Sequence, residues 1–189
     1  TATAIAQIMK YHNWPDCGEG SNKHLGQTVD FSQSIYDWEH MRDIYVEGDY
    51  TDIEAQAVAK LMSDVGHAVW MQYSDASAAQ NAHIYRALYT HFKYSRKARY
   101  ILRNTMTTNE WKQLMRAELK ASRPVYYAAL SEDQSMGHAF VCDGIDLTGN
   151  YLHFNWGWSG NCDGFYYLHT LNPPNPGIGG GKGNFNADH

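Results

Sequence analysis

Residues 124–168 read PVYYAALSEDQSMGHAFVCDGIDLTGNYLHFNWGWSGNCDGFYYL. From Pro124 onward the apolar spacing changes from helical to extended. Val125–Leu130, His138–Ile145, Tyr151–Trp156 and Gly164–Leu168 are strand-like and are separated by Gly, Asn and Asp turns, the pattern of an antiparallel meander. Helical periods lie before this stretch. Helices first and strands last predict an α+β fold, not the strict alternation of a doubly wound one.

Upstream, Ala2, Ile5, Ala6 and Met9 follow the i, i+3, i+4, i+7 rule of a buried helix face. Small residues on the other faces predict that this helix is central, and Asn13-Trp14-Pro15-Asp16 should end it. Gly18 to Tyr50 reads as loops with short strands. A second helix is expected over Ile53–Val65, stopped at Gly66 and followed by an extended run Ala68–Met71. After the small-residue loop Ser74–Ala78, a third helix is expected over about Gln80–His91. A fourth starts at the capping signature Thr107-x-x-Glu110 and runs to about Ala121. The tail from Pro176 to Asn184 is too glycine-rich to hold one conformation unaided and is expected to be a flexible loop.

The 189 residues suit one domain. A net charge of -5 with interspersed signs gives no electrostatic footprint for nucleic acid or an anionic membrane. No apolar run is long enough to span a bilayer, and Thr1 to Lys10 lack the marks of a signal peptide, so an export signal would lie upstream. Fourteen Tyr and six Trp favour an aromatic groove for extended ligands. Three cysteines, Cys17, Cys142 and Cys162, are too few for a disulfide scaffold and lack metal-ligand spacing. Cys142 reads as a small buried residue, whereas Cys17 and Cys162 lie in turn-rich loops where a redox-sensitive pair is conceivable.

The chemistry centres on Gly137-His138-Ala139-Phe140-Val141 and, seventeen residues after the histidine, Asn155-Trp156-Gly157-Trp158. One hairpin can bring His138 and Asn155 to the same sheet edge, as a base and the group that fixes its tautomer. On spacing alone a structural histidine beside a tight aromatic turn explains the same residues. None of the three cysteines stands where a partner nucleophile should be. Asp143, Asp146 and Asp163 lack the ligand alternation of a calcium loop and read as turn residues, no His-Glu-x-x-His pattern exists, and the glycine tail is not a phosphate loop. No metal or cofactor is expected.

Several separated segments, in order, carry a resemblance: Ala2-Thr3-Ala4, Ala6 to Asn13, Gly137 to Val141, Asn155 to Trp158, Asp163-Gly164-Phe165 and Leu171-Asn172-Pro173, with weaker likenesses at Leu61 to Gly66, Arg86 to Leu88 and Pro124 to Tyr127. Across essentially the whole chain the sequence resembles the streptopain family of bacterial cysteine proteases. The resemblance implies a papain-like α+β fold with a helical half, a sheet half and the cleft between them. Residues 1–189 would then be one catalytic domain without its N-terminal part. It also implies a secreted or cell-surface bacterial endopeptidase, made as a zymogen with an N-terminal prodomain as autoinhibitor and acting on protein or peptide substrates.

The same resemblance places the nucleophilic cysteine directly before the position of Thr1, with an oxyanion-hole glutamine further upstream. His138 then matches the catalytic base and Asn155 the orienting group. Gly137, Ser77, Trp156 and Trp158 match substrate-contacting positions, Ala78 being a rival for Ser77, and 177–183 matches a loop near the cleft. The segment from Gly18 to Trp38 and all three cysteines depart from the family pattern. Two other readings stay open: an inactive homologue or fragment that binds peptides or glycans in an aromatic groove, and a cysteine amidase or transferase with the same dyad.

Overall fold

The computed structural model describes residues 1–74, 77–177 and 180–186. The chain divides into two compact units, Thr1–Tyr100 and Ile101–His189.

The first unit holds three helices and a small hairpin: α1 (Ala2–His12), β1 (Ser21–His24), β2 (Gln27–Asp30), α2 (Asp52–Ala68) and α3 (Asn81–His91). Helix α1 buries Ala2, Ala4, Ile5, Ala6 and Met9 and packs against α2, the central placement that its small residues predict. It ends in a Schellman motif. Asn13 takes the left-handed conformation at φ 45°, its N–H donates to the Lys10 carbonyl, and the Trp14 N–H donates back to that of Met9.

Helix α2 starts on a reciprocal capping box, in which the Glu54 N–H donates to Thr51 Oγ1 and the Thr51 N–H donates to the Glu54 carboxylate. It does not stop at Gly66. The helix continues to Ala68 because Gly66 is needed for space, not for a turn: a Cβ there would run into the Tyr73 hydroxyl. Another Schellman motif then closes it, with Trp70 at φ 53° in the position glycine usually fills and Met71 N–H donating to Gly66 O. A left-handed tryptophan costs about 1–2 kcal/mol, which the burial of Val69 and Met71 on either side offsets. The extended run expected at Ala68–Met71 is therefore a helix end, and pairing begins only at Gln72, bridged to Ala78.

The second unit contains α4 (Thr108–Lys120) and the strands β3 (Val125–Leu130), β4 (Gly137–Ile145), β5 (Tyr151–Asn155) and β6 (Gly164–Tyr167). A second capping box, Thr107 with Glu110, opens α4 as its signature predicts. The strands form one antiparallel sheet in the order β3-β4-β5-β6, the expected meander. Alternation sets the faces. Tyr127 and Ala129 of β3, Phe140 and Cys142 of β4, and Leu152 and Phe154 of β5 enter a common core with Trp111 and Met115 of α4. Each large ring buried there contributes about 2–3 kcal/mol of transfer free energy. A bulge between Cys142 and Gly144 shifts the β4–β5 register by one residue and turns Asp143 toward His153. Cys142 is wholly buried, as expected of a small apolar residue, and burial pushes its thiol pKa well up.

Candidate active site

His138 is the second residue of β4 and pairs with Ala129 of β3. Strand β5 begins its pairing with Asn155 opposite Val141, so it ends three residues short of the histidine's level. The turn Trp156-Gly157-Trp158 covers the difference. Its first carbonyl reaches the imidazole: His138 Nε2–H donates to Trp156 O at 2.8 Å. A carbonyl can only accept, so this bond puts the proton of the neutral ring on Nε2 and leaves Nδ1 as a bare acceptor. Burial pushes the His138 pKa down, against the raising effect of the bond to the Trp156 carbonyl.

The peptide group that receives this bond is itself held. Its N–H, on Gly157, donates to Asn155 Oδ1 at 2.9 Å. The N–H of Trp156 donates to Asp163 Oδ1, also at 2.9 Å. A tight return makes this possible, with Gly157 at φ 75°, Cys162 at φ 66°, and Asn161 N–H donating to Trp158 O. Asn155 thus meets His138's hydrogen bond from the far side of one peptide unit, and the direct partner of Nε2 is the Trp156 main chain.

Four rings surround the imidazole. Trp158 stacks on it with centroids 4.6 Å apart at 25°, and Phe140, Trp156 and Phe185 lie at 5.9, 6.2 and 5.6 Å. Trp156 is 0% exposed, so its indole is a core side chain and not the groove wall the resemblance implies; its carbonyl is what it brings to the site. Trp158 is half-buried and lies against the imidazole. The glycine tail passes close to it, and a Cβ on Gly177 would lie 2.6 Å from Trp158 Cγ. Ile178 and Gly179 lie outside the described residues.

Gly137 is exposed at the start of β4 opposite Leu130. Ser77 belongs to the first unit, exposed, with its hydroxyl donating to Ser74 O and accepting the Ser74 N–H; its neighbours Asp75 and Ala76 lie outside the described residues. Phe185 is a site residue that the sequence reading missed. It is fully buried, its N–H donates to Leu171 O, and Asn186 beside it donates to Glu132 Oε1. One phenylalanine behind a glycine run has no periodicity to reveal it.

The three thiols are free. Lys93 Nζ donates to Cys17 Sγ at 3.3 Å, and Cys162 Sγ–H donates to Asn175 O at 3.3 Å. The aspartates act as turn and pairing residues. Asp146 accepts from Thr148, Asn150 and Tyr151, which draw its pKa down to about 2, and Asp143 pairs with His153 at 2.5 Å. Among the described residues no group of three or more His, Cys, Asp or Glu side chains could hold a metal ion, and no helix is long and apolar enough to cross a membrane.

Helices followed by an antiparallel sheet make an α+β fold, and it is the fold of a solved cysteine protease. The structure of active interpain A, a cysteine protease of Prevotella intermedia, superimposes with a TM-score of 0.88 at 36% identity, over 99% of this chain and 78% of that one. A prointerpain A fragment from the same organism matches with a TM-score of 0.80 at 37% identity, over 88% of this chain and 55% of its own.

A sequence profile of the Peptidase C10 family matches residues 1–166, and the chain belongs to that family. Among its relatives are the thiol protease/hemagglutinin PrtT of Porphyromonas gingivalis, 39% identical over 99% of this chain, and streptopain of Streptococcus pyogenes, 37% identical over 98%. The chain spans 22% of the length of PrtT and 49% of that of streptopain.

Proposed function

We propose that residues 1–189 are the catalytic domain of a secreted bacterial cysteine endopeptidase, made as a zymogen with an N-terminal prodomain, with His138 as its proton-transfer group. The observation that carries this reading is the His138 Nε2–Trp156 carbonyl bond, which commits one ring nitrogen and leaves Nδ1 to exchange a proton. The family and the names of its thiol-protease members support it.

The nucleophile is a cysteine directly before Thr1, at the head of α1. The unpaired N–H groups and dipole of a helix N-terminus favour a thiolate, and no acidic residue in the first turn of α1 opposes it. The thiolate attacks the peptide carbonyl to form a C–S bond, and the oxyanion is held by the cysteine's own N–H and an upstream side chain. Nδ1 of the imidazolium protonates the departing amine as the C–N bond breaks. The neutral ring then takes a proton from water, which attacks the thioester and releases the acid and the thiolate.

Asn155 serves by fixing the Trp156–Gly157 peptide. Gly137, Ser77 and Trp158 contact substrate, with an apolar residue favoured two places before the cut. No cofactor is required for these steps.

The test is performed on the full-length protein after its prodomain has been cleaved off. Iodoacetamide should label the cysteine preceding Thr1 and abolish the release of new N-termini from a protein substrate. A folded protein freed of its prodomain that binds peptide but liberates no N-termini, or whose turnover survives the label, would contradict the assignment.

A further inference from the structure

We propose that Asp163 is a positioning residue for His138, acting through the main chain of Trp156; this rests on the reading of His138 as the base. The two peptide groups that flank the Trp156 Cα are each tied at the N–H. Asp163 Oδ1 holds the Trp156 N–H and Asn155 Oδ1 holds that of Gly157, both at 2.9 Å. Together they fix the φ and ψ of Trp156, and so the direction of the carbonyl that accepts from Nε2 at 2.8 Å.

The Trp156 side chain cannot set that direction alone. Its indole is stacked on Trp158 at 10°, a contact that tolerates sliding, whereas a hydrogen bond to a carboxylate is directional and about twice as strong as a neutral one. A one-ångström displacement of a catalytic group costs roughly a hundredfold in rate, so a carbonyl held from both sides is a requirement of the chemistry.

Asp163 has a sensitivity that Asn155 lacks. It is partly buried, and burial pushes its carboxyl pKa up against the lowering effect of the Trp156 N–H. The charged groups that face it are His153 of β5, which lowers it, and Asp143 of β4, which raises it; the Tyr166 hydroxyl of β6 also senses its charge. Protonation of Asp163 weakens the hold on Trp156, and it sets in at a higher pH than in a solvent-exposed aspartate.

The experiment uses full-length protein freed of its prodomain, with ¹⁵N-histidine and backbone labelling; spectra are taken after iodoacetamide has capped the cysteine before Thr1, so that no thiolate holds the ring as imidazolium, and the His138 signals are assigned by their loss in His138→Gln. In the wild type, His138 is the Nε2–H tautomer, and its ring shifts share an acid-range inflection with the Trp156 amide proton. Asp163→Asn keeps an acceptor but removes that inflection from both signals, and holds the tautomer. Asp163→Ala speeds exchange of the Nε2 proton by roughly tenfold or more, mixes the tautomers, and lowers kcat by about 10–100-fold with little change in KM.

Should Asp163→Ala fail to fold, the Asn variant alone decides. An inflection that persists in it, or that never appears in the wild type, overturns the proposal, as does a wild-type tautomer and exchange rate in a folded Ala variant. None of the spectral readings requires turnover, so they stand apart from the fate of the protease assignment.

Discussion

His91 and His138 are alike in the property most often used to pick out a catalytic histidine. Burial drives both pKa values down, and each ring gives one N–H to a main-chain carbonyl: His91 Nδ1 to Glu19 O at 3.1 Å, His138 Nε2 to Trp156 O at 2.8 Å. They differ in what the bond accomplishes. At His91 the Glu19 N–H also donates to the histidine's own carbonyl at 2.9 Å, and the ring packs on Phe31 at 4.5 Å. That closed pair pins the Gly18–Gly20 segment to the end of α3 and is complete in itself. At His138 the accepting carbonyl belongs to a turn held from outside by Asn155 and Asp163. The lesson is that a depressed pKa marks burial, while a purpose beyond packing shows in the support given to the histidine's partner.

Substitutions at and around the two histidines should separate them. The largest effect short of removing His138 is expected at its stacking partner. Trp158→Ala should lower kcat/KM by roughly 10–100-fold in the protein freed of its prodomain, because the ring stacked on the imidazole is gone. A steady-state assay on a fluorogenic peptide checks this.

Next in size is His91→Ala, expected to destabilise the fold by about 1–3 kcal/mol while leaving turnover per folded molecule unchanged. Urea unfolding beside an active-site titration separates the two.

A pH series adds the sign. The folded pKa of His91 lies below 6.5, so the unfolded chain binds the proton more readily. Stability therefore falls as pH drops below the unfolded value and levels off once the folded ring protonates too. His91→Gln should flatten that slope by at most one proton's worth, seen as a smaller change in urea midpoint between neutral and mildly acidic buffer.

The smallest effect is expected at Asp64 of α2, a buried carboxylate bonded at 2.8 Å to Lys60 and at 3.1 Å to the Tyr36 hydroxyl. Lys60 is itself half exposed, so Asp64→Asn should cost only about 1–2 kcal/mol. It should leave activity alone, as thermal melts and the same peptide assay would show.

How much of this was legible depends on the range of the interaction. Capping boxes and strand alternation are local, and Thr107 with Glu110, the meander from Val125 and the burial of Cys142 follow from residues a few places apart. The end of α2 was misread because Gly66 looks like a stop, whereas its role is set by Tyr73 folding back onto the helix, and a left-handed Trp70 violates the propensity that a reading must assume.

At the site, His138 and Asn155 were visible as a spaced pair. Their link through a backbone carbonyl was not, since main-chain atoms leave no mark in the sequence. Asp163 read as a turn residue because a turn is what it makes; only the return of that turn to the Trp156 N–H gives it a second task. Phe185 was hidden by the glycine run before it.

His138, and not its look-alike, is expected to carry the proton in catalysis. Peptide hydrolysis by His138→Ala and His91→Ala, each confirmed folded and freed of its prodomain by an added protease, decides between the two. A loss of roughly a thousandfold or more is expected for the first and a change within about threefold for the second. Near-normal turnover in His138→Ala, or an equal loss in both, would contradict it.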